Sequence, residues 1–235
     1  DFNTYSQPSF PEGEYAAALL REIGFAATRP AWQGRKVSTL FFGGGTPSLF
    51  SSETIASLVE SVERLFGFAA SPEISLEANP GTLEGGGVEK LRAFRRAGVN
   101  RLSFGVQSFD QRHLQSLGRI HDAAEADAAV TAAREAGFDN LSCDLIFAVP
   151  GQTLRDWERD LRRLIAHAPA HVATYSLTYE PGTALTARMR AGKVAVADEE
   201  DELAMYETAI DTLADAGYRH YEISNFARSG REARH

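Results

Sequence analysis

The sequence predicts an α/β fold, a barrel or part-barrel built from helix–strand repeats around a parallel sheet. Three segments, "RRAGVNRLSFGV", "REAGFDNLSCDLIF" and "ADAGYRHYEIS", each end a helical pattern with Ala-Gly and lead into a strand-like run. Their glycines, Gly98, Gly137 and Gly217, are 39 and 80 residues apart, or about one and two units of 40. Glycine directly after a helix is the usual left-handed cap. Helices alternating with strands at this spacing are typical of a parallel sheet.

The remaining pattern supplies the other elements in order. Strands are predicted over 37–42, 73–78, 101–106, 140–147, 171–177 and 219–223. Helices are predicted over 12–27, 52–66, 87–97, 122–136, 153–167 and 199–216. The helix over 52–66 has apolar residues at spacings of three and four, with Ser51 or Ser52 as its cap. Because the first helix should itself follow a strand, we expect one strand of the barrel to be missing at the N-terminus.

Composition restricts the function classes. The chain has 235 residues, the size of one domain, and 32 acidic against 24 basic residues give a net charge of −8. This balance argues against a nucleic-acid-binding protein with a broad basic surface. No apolar run approaches the roughly 18 residues of a membrane span. The single cysteine, Cys143, excludes an internal disulfide and indicates a reducing, cytoplasmic location.

The two ends of the sequence suggest a fragment. The chain begins at Asp1 rather than Met and stops after "ARSGREARH". We therefore expect a single core domain over 1–235, truncated at both ends, with residues from about 218 to 235 starting a C-terminal extension.

Polar residues follow nearly every predicted strand. Ligands of parallel α/β sheets bind beyond the carboxyl ends of the strands. Those ends carry "GGGTPS" and then Glu77, Gln107, Asp144, Thr178, Glu222 and Asn225. This concentration indicates a ligand site at one rim, with plain capping and turn roles as the alternative.

The glycine-rich stretch "FFGGGTPSLF", residues 41–50, does not match either common nucleotide loop. No lysine follows at the P-loop spacing, and Ser48 occupies the last glycine position of G-x-G-x-x-G. Gly43, Gly44 and Gly45 can nevertheless expose consecutive main-chain groups at a strand end. A small zwitterion, a phosphate and a tight turn without ligand all remain open.

Seven blocks in order resemble radical S-adenosylmethionine (SAM) proteins related to oxygen-independent coproporphyrinogen III oxidase. The blocks are "FFGGGTPS", "SLEANPGT", "NRLSFGVQSF", "LGRIH", "CDLIFAVPGQT", "YSLTYEPGT" and "YEISNFAR". The resemblance implies a partial (β/α)6 TIM-like barrel. It assigns the SAM methionyl group to the glycine stretch ending at Thr46, and one carboxylate contact to Glu77. Further contacts with the adenosyl ligand fall on Gln107, Arg119 and Asp144, and one near the base falls on Thr178.

The same family holds a [4Fe–4S] cluster with three cysteines in a C-x-x-x-C-x-x-C pattern, which this sequence lacks. The resemblance implies that those cysteines lie just upstream of Asp1. Cys143 is expected to be a buried apolar residue instead of a ligand.

Within the family, the chain resembles the haem-chaperone subgroup. Asp1-Phe2 at the start, "EANP", "VQSF" and the last two blocks favour it. This subgroup implies a haem or porphyrin ligand, haem-requiring respiratory proteins as recipients, and a haem-binding segment that opens at His235. The alternative is an oxidase that decarboxylates the propionates of coproporphyrinogen III, so enzymatic activity stays open. His121, beside Arg119, is a further residue to test.

Overall fold

The structure is a computed structural model that describes residues 10–83 and 87–235. In it, seven strands form one sheet with the order β1-β2-β3-β4-β5-β7-β6. The strands are β1 (Val37–Phe42), β2 (Phe68–Ala78), β3 (Arg101–Gln107), β4 (Leu141–Phe147), β5 (His171–Ser176), β6 (Arg219–Glu222) and β7 (Asn225–Ala227). Strands β1 to β5 pair in parallel in chain order. The predicted α/β part-barrel is confirmed.

One edge of the sheet differs from the prediction of a wholly parallel sheet. Strand β7 runs antiparallel to both β5 and β6. A tight turn at 223–224 reverses the chain directly after β6, so the three-residue strand β7 inserts between β5 and β6. The predicted strand over 219–223 exists, but its neighbour is β7.

Eight α-helices pack around the sheet in the described part of the chain. They are α1 (Glu12–Ala27), α2 (Ser52–Phe66), α3 (Val88–Arg96), α4 (Gln111–Ser116), α5 (Ala123–Glu135), α6 (Leu154–Ala166), α7 (Ala184–Arg190) and α8 (Glu199–Asp215). All six predicted helices are confirmed to within two residues at each end. The two that the sequence pattern missed, α4 and α7, have only six and seven residues and show no clear periodicity. Asp1 and Phe2, which helped to assign the subgroup in the sequence, lie outside the described residues.

Local chemistry explains the helix boundaries. The Ser51 hydroxyl accepts a hydrogen bond from the Thr54 N–H at the start of α2, as expected of a cap. The three repeated glycines, Gly98, Gly137 and Gly217, have φ values of 102°, 86° and 85°, in the left-handed region. The prediction that these three glycines are left-handed helix caps is therefore confirmed by the backbone angles.

The hydrophobic core lies between the sheet and the helices. It is formed by alternate strand residues, among them Leu76, Leu102, Phe104 and Leu145, each 0% exposed. Cys143 is also 0% exposed on this face, and burial raises the pKa of its thiol. The expectation that Cys143 is an ordinary core residue agrees with this position. No helix in the described ranges is long and apolar enough to cross a membrane.

Candidate functional site

A polar cavity of about 260 Å³ lies on the inner side of the sheet, opposite the hydrophobic core. It is lined by Phe41, Ser75, Glu77, Arg101, Ser103, Ser142, Asp144, His171, Ala173, Tyr175, Tyr221, Glu222, Asn225, Ala233 and His235. Successive side chains of a strand point to opposite faces, so the residues between the core positions are directed into the cavity. Parallel pairing then aligns them across strands, with Ser75 beside Arg101 and Ser142 beside His171.

The glycine loop after β1 is tied to a cavity carboxylate. The Gly44 N–H donates a hydrogen bond to Glu77 Oε2 at 3.2 Å. Gly44 has a φ of 113°, which side chains other than glycine rarely tolerate. A Cβ at Gly44 or Gly45 would meet no heavy atom of the described residues within 4 Å. The loop therefore presents bare backbone to open space beside a carboxylate, which suits close approach of a ligand.

The other residues of the loop support its conformation. A Cβ at Gly43 would overlap the ring of Phe41, so any other residue here would require that ring to move. The Thr46 hydroxyl donates to the Gly45 carbonyl at 2.6 Å and accepts from Asn79 Nδ2 at 3.4 Å. Thr46 thus links the loop to the residue that follows β2.

Asp144 is the second carboxylate of the cavity. It accepts hydrogen bonds from the Ser103 hydroxyl at 3.2 Å and the Ser142 hydroxyl at 3.3 Å. Burial, with a smaller contribution from the negative charge of Glu77, raises its pKa to about 7 against the opposing effect of the two serines and Arg101. Burial also raises the pKa of Glu77, opposed by the Gly44 N–H and the field of His235. Two poorly solvated carboxylates favour a cationic or hydroxyl-bearing ligand.

His235 also lies in the cavity. Its ring stacks on Phe41 with centroids 4.0 Å apart and planes at 12°. Its Nδ1 is 4.0 Å from Glu73 Oε1, and its side chain is 38% exposed. The structure therefore brings Glu77, Asp144 and His235 together.

Of the other polar residues named from the sequence, Glu222 and Asn225 also line this cavity, whereas Gln107, Thr178 and Arg119 do not. Gln107 ends β3 with a φ of 69° and is 8% exposed. Its side chain folds back over Gly105 beside Asn79, since a Cβ on Gly105 would be 2.6 Å from Gln107 Nε2. Thr178 is exposed after β5. Neither residue has a contact that assigns it a role in the described structure.

Arg119, between α4 and α5, has a buried Nε with no hydrogen-bond partner among the described residues. Burial lowers the pKa of its guanidinium, and the charge of Asp144 opposes this. An unpaired buried donor is costly, so Arg119 is suited to an acceptor group of a ligand. His121 is 2% exposed and its Nε2 donates to the Val106 carbonyl at 3.1 Å, which is a structural contact.

Sequence reasoning missed the inner layer of the site. It considered only strand ends, whereas Ser75, Arg101, Ser103, Ser142 and His171 lie within the strands. The missed signal was the alternation of "EISLEA", "RLSF" and "LSCD", in which every second residue is polar. Such alternation predicts a strand with one polar face.

The described residues do not fit an iron–sulfur cluster. They contain no group of three or more histidine, cysteine or acidic side chains placed to hold a metal ion. The sequence has one cysteine, which is buried in the core. A cluster takes several thiolates.

Comparison with known proteins identifies similar chains. The family model described as the Radical SAM superfamily matches residues 15–164. Similar curated proteins are "Heme chaperone HemW" of Haemophilus influenzae, 40% identical, and of Bacillus subtilis, 38% identical. Both alignments cover 100% of this chain, but only 60% and 61% of the respective relative. The chain thus spans about 60% of the length of these relatives.

A solved structure described as coproporphyrinogen III oxidase (HemN) from Escherichia coli, a radical SAM enzyme, has a similar fold. Its TM-score is 0.82 at 30% identity, over 96% of this chain and 50% of the other.

Proposed function

The chain belongs to the radical SAM superfamily, and from this premise we propose that its glycine loop and inner cavity bind SAM. The superfamily implies SAM and a [4Fe–4S] cluster in general. The observation that carries the proposal is the contact between the Gly44 N–H and Glu77, which joins an open backbone cradle to a desolvated carboxylate.

The residues present fit SAM in chemical type. The main-chain groups of Gly43, Gly44 and Gly45 would face the methionyl group, with Thr46 closing the loop. The carboxylates of Glu77 and Asp144 would face cationic groups or ribose hydroxyls. When bound, SAM supplies an adenosyl group and a sulfonium cation.

Three further residues that do not line the cavity are also proposed to contact SAM. The unpartnered Arg119 Nε is a donor for the methionyl carboxylate. Gln107 and Thr178 are proposed as a polar contact and a base contact, on the family resemblance alone. The chain's own residues do not fit the cluster, and no chemical step is assigned through it.

We propose a haem chaperone as the function of the protein in which this chain acts. The support is the pair of similar curated proteins named heme chaperone, at 40% and 38% identity over the whole chain. The proposed ligand is haem or a related porphyrin, the recipients are haem-requiring respiratory proteins, and the location is the cytoplasm. His235 is the proposed haem ligand, with its ring held between Phe41 and the carboxylate of Glu73.

The second candidate is an oxygen-independent coproporphyrinogen III oxidase, favoured by the TM-score of 0.82 to a structure of that description. The two functions separate in an anaerobic assay of this chain within a protein that supplies the three cluster cysteines and carries the reconstituted cluster. Conversion of coproporphyrinogen III to protoporphyrinogen IX would contradict the chaperone function. Haem binding without conversion, seen as a Soret shift that is lost in His235→Ala, is the expected result.

A further inference from the structure

A chain of hydrogen bonds runs from Asp144 across the inner face of the sheet. The Ser142 hydroxyl lies 3.3 Å from Asp144 Oδ1 and 2.8 Å from His171 Nδ1. His171 Nε2 lies 2.8 Å from the Tyr221 hydroxyl, which accepts the Ala233 N–H at 3.1 Å. The chain crosses β4, β5 and β6 and ends on the segment that follows β7. It connects Asp144 to the segment that follows β7, whose Ala233 also lines the cavity.

The direction of the donors follows from the charge of Asp144. An ionised carboxylate only accepts, so the single proton of Ser142 is donated to Asp144. The Ser142 oxygen must then accept from His171 Nδ1–H. His171 Nε2 is left without a proton and accepts the Tyr221 O–H. One arrangement of protons therefore satisfies all three side chains when Asp144 is ionised.

His171 is suited to this role because it stays neutral. It is 3% exposed, and burial lowers its pKa to about 3, with the positive charges of Arg101 and His235 adding to the effect. A neutral imidazole donates with one nitrogen and accepts with the other, as the chain requires. His171 and Tyr221 touch Asp144 only through Ser142, so they act on its position and ionisation.

We propose that His171 and Tyr221 are positioning residues that hold the Ser142 hydroxyl on Asp144 and so keep this carboxylate ionised for a cationic ligand. The ligand assignment rests on the proposed function, with the sulfonium and ammonium groups of SAM as the cations. None of the known similarities assigns a role to these two residues. The inference gives these two cavity-lining residues a role in supporting Asp144.

Other titratable and polar groups interact with Asp144 or line the same cavity. They are Glu77 on β2, Arg101 and Ser103 on β3, Tyr175 on β5, Tyr221 and Glu222 from β6, and Arg119 from the loop before α5. Glu77 disfavours the ionised form, whereas Ser103, Ser142 and Arg101 favour it. Weakening the Ser142 donor therefore moves the titration of Asp144 to higher pH. Binding of a cation is then lost near neutral pH and recovered in alkali.

The test measures SAM binding by calorimetry from about pH 6 to pH 9 on the full chain. Three variants weaken the hydrogen-bond chain to different degrees. Ser142→Ala removes the hydroxyl that donates to Asp144, His171→Phe removes the imidazole that holds this hydroxyl, and Tyr221→Phe removes only the last hydroxyl of the chain. The pH of half-maximal binding should rise by roughly one unit for Ser142→Ala, with smaller rises for the other two in that order. His113→Phe is the matched control, because His113 is 2% exposed but lies in α4.

Two results would overturn the positioning role. One is an unchanged pH of half-maximal binding in all three variants. The other is an equal loss of affinity at every pH, which is what a purely structural defect produces. Recovery of wild-type affinity at pH 9 in Tyr221→Phe is the expected signature.

A second measurement does not depend on SAM. Nitrogen-15 NMR of histidine-labelled protein should show His171 as the Nδ1–H tautomer, neutral from pH 8 down to about pH 5. An imidazolium or an Nε2–H tautomer at neutral pH overturns the hydrogen-bond chain even where SAM binds. If the wild-type protein binds no SAM at any pH, the proposed function and the ligand part of this inference both fail. The tautomer of His171 then still tests whether the hydrogen-bond chain from Asp144 to Tyr221 exists.

Discussion

The two faces of the same strands are built from opposite chemistry. On β2, Leu76 is fully buried against the helices, whereas its neighbour Glu77 points into the cavity. On β4, Leu145 lies in the core and Asp144 in the cavity. Burial of apolar side chains stabilises the fold, while burial of carboxylates costs free energy. One face therefore holds the barrel together, and the other retains unfavourable groups that suit a ligand.

The largest expected effect comes from the core face. Leu76→Ala should lower the free energy of unfolding by about 2–5 kcal/mol, because it leaves a void in a fully buried layer. Glu77→Ala, one residue away, should not lower it by a comparable amount, because removing a poorly solvated carboxylate relieves a desolvation cost that offsets the lost hydrogen bond from the Gly44 N–H. Urea denaturation measures both. An equal loss in the two variants would show that Glu77 is a structural residue.

Asp144 should show directly the free-energy cost of burying a carboxylate on the cavity face. Its pKa is raised to about 7 in the folded state, so the folded state binds a proton more tightly than the unfolded state between about pH 4 and pH 7. The stability contributed by protonated Asp144 is present below pH 4 and is lost as the pH rises through 7. Asp144→Asn should therefore stabilise the chain at pH 8 by about 2 kcal/mol and little at pH 4.

Urea denaturation of wild type and Asp144→Asn across this pH range provides the measurement. If Asp144→Asn is less stable than wild type at pH 8, the ionised carboxylate stabilises the fold. The cavity face would then not carry the free-energy cost that distinguishes it from the core face. Ser103→Ala is a useful companion, since it removes one of the two hydroxyl donors to Asp144 without removing the charge.

His171 should give the opposite pH dependence. Its pKa is lowered to about 3, so the unfolded state binds the extra proton as the pH falls below about 6.5. The stability that depends on neutral His171 is present above pH 6.5 and is lost between pH 6.5 and pH 3. In His171→Phe this part of the acid loss should disappear, reducing the drop between pH 7 and pH 4 by roughly 1–3 kcal/mol. An identical acid profile in wild type and variant would contradict a neutral, buried His171.

The smallest effect is expected at Thr178. Its side chain is exposed beyond β5, so Thr178→Ala should change the free energy of unfolding by less than about 0.5 kcal/mol. As a proposed base contact, it should still lower SAM affinity by a few-fold, roughly 0.5–1.5 kcal/mol for one hydrogen bond. Calorimetry beside a control such as Thr131→Ala on α5 separates these outcomes. Unchanged affinity would remove Thr178 from the site.

Local rules predicted most of the fold. The glycines that end helices and the apolar spacing of α2 depend on neighbouring residues alone, so both were readable from the sequence. Strand β7 was not, because its three residues carry no periodic signal and its pairing with β5 is set by the turn after β6. The antiparallel edge is thus determined by tertiary contacts and not by the local sequence.

The candidate site divides in the same way. The family resemblance and the strand ends pointed to Gly44, Glu77 and Asp144, which the structure brings to one cavity and its rim. The side-chain directions of Gln107 and Arg119 depend on a bulge in β3 and on the loop after α4, which no local pattern specifies. The hydrogen-bond chain through His171 and Tyr221 joins residues 50 apart in sequence. It could be found only after the strands were placed in register.

The central claim is that the polar face binds SAM between the glycine loop and Glu77. NMR of glycine-labelled protein tests it most directly, with SAM added to about 5 mM so that even a millimolar Kd is detected. The Gly44 amide signal should shift with SAM in wild type and in Leu49→Ala, a control for an exposed side chain near the loop. The same shift should be absent in Glu77→Ala. A Gly44 signal that SAM leaves unchanged in wild type, or shifts equally in Glu77→Ala, would contradict the claim.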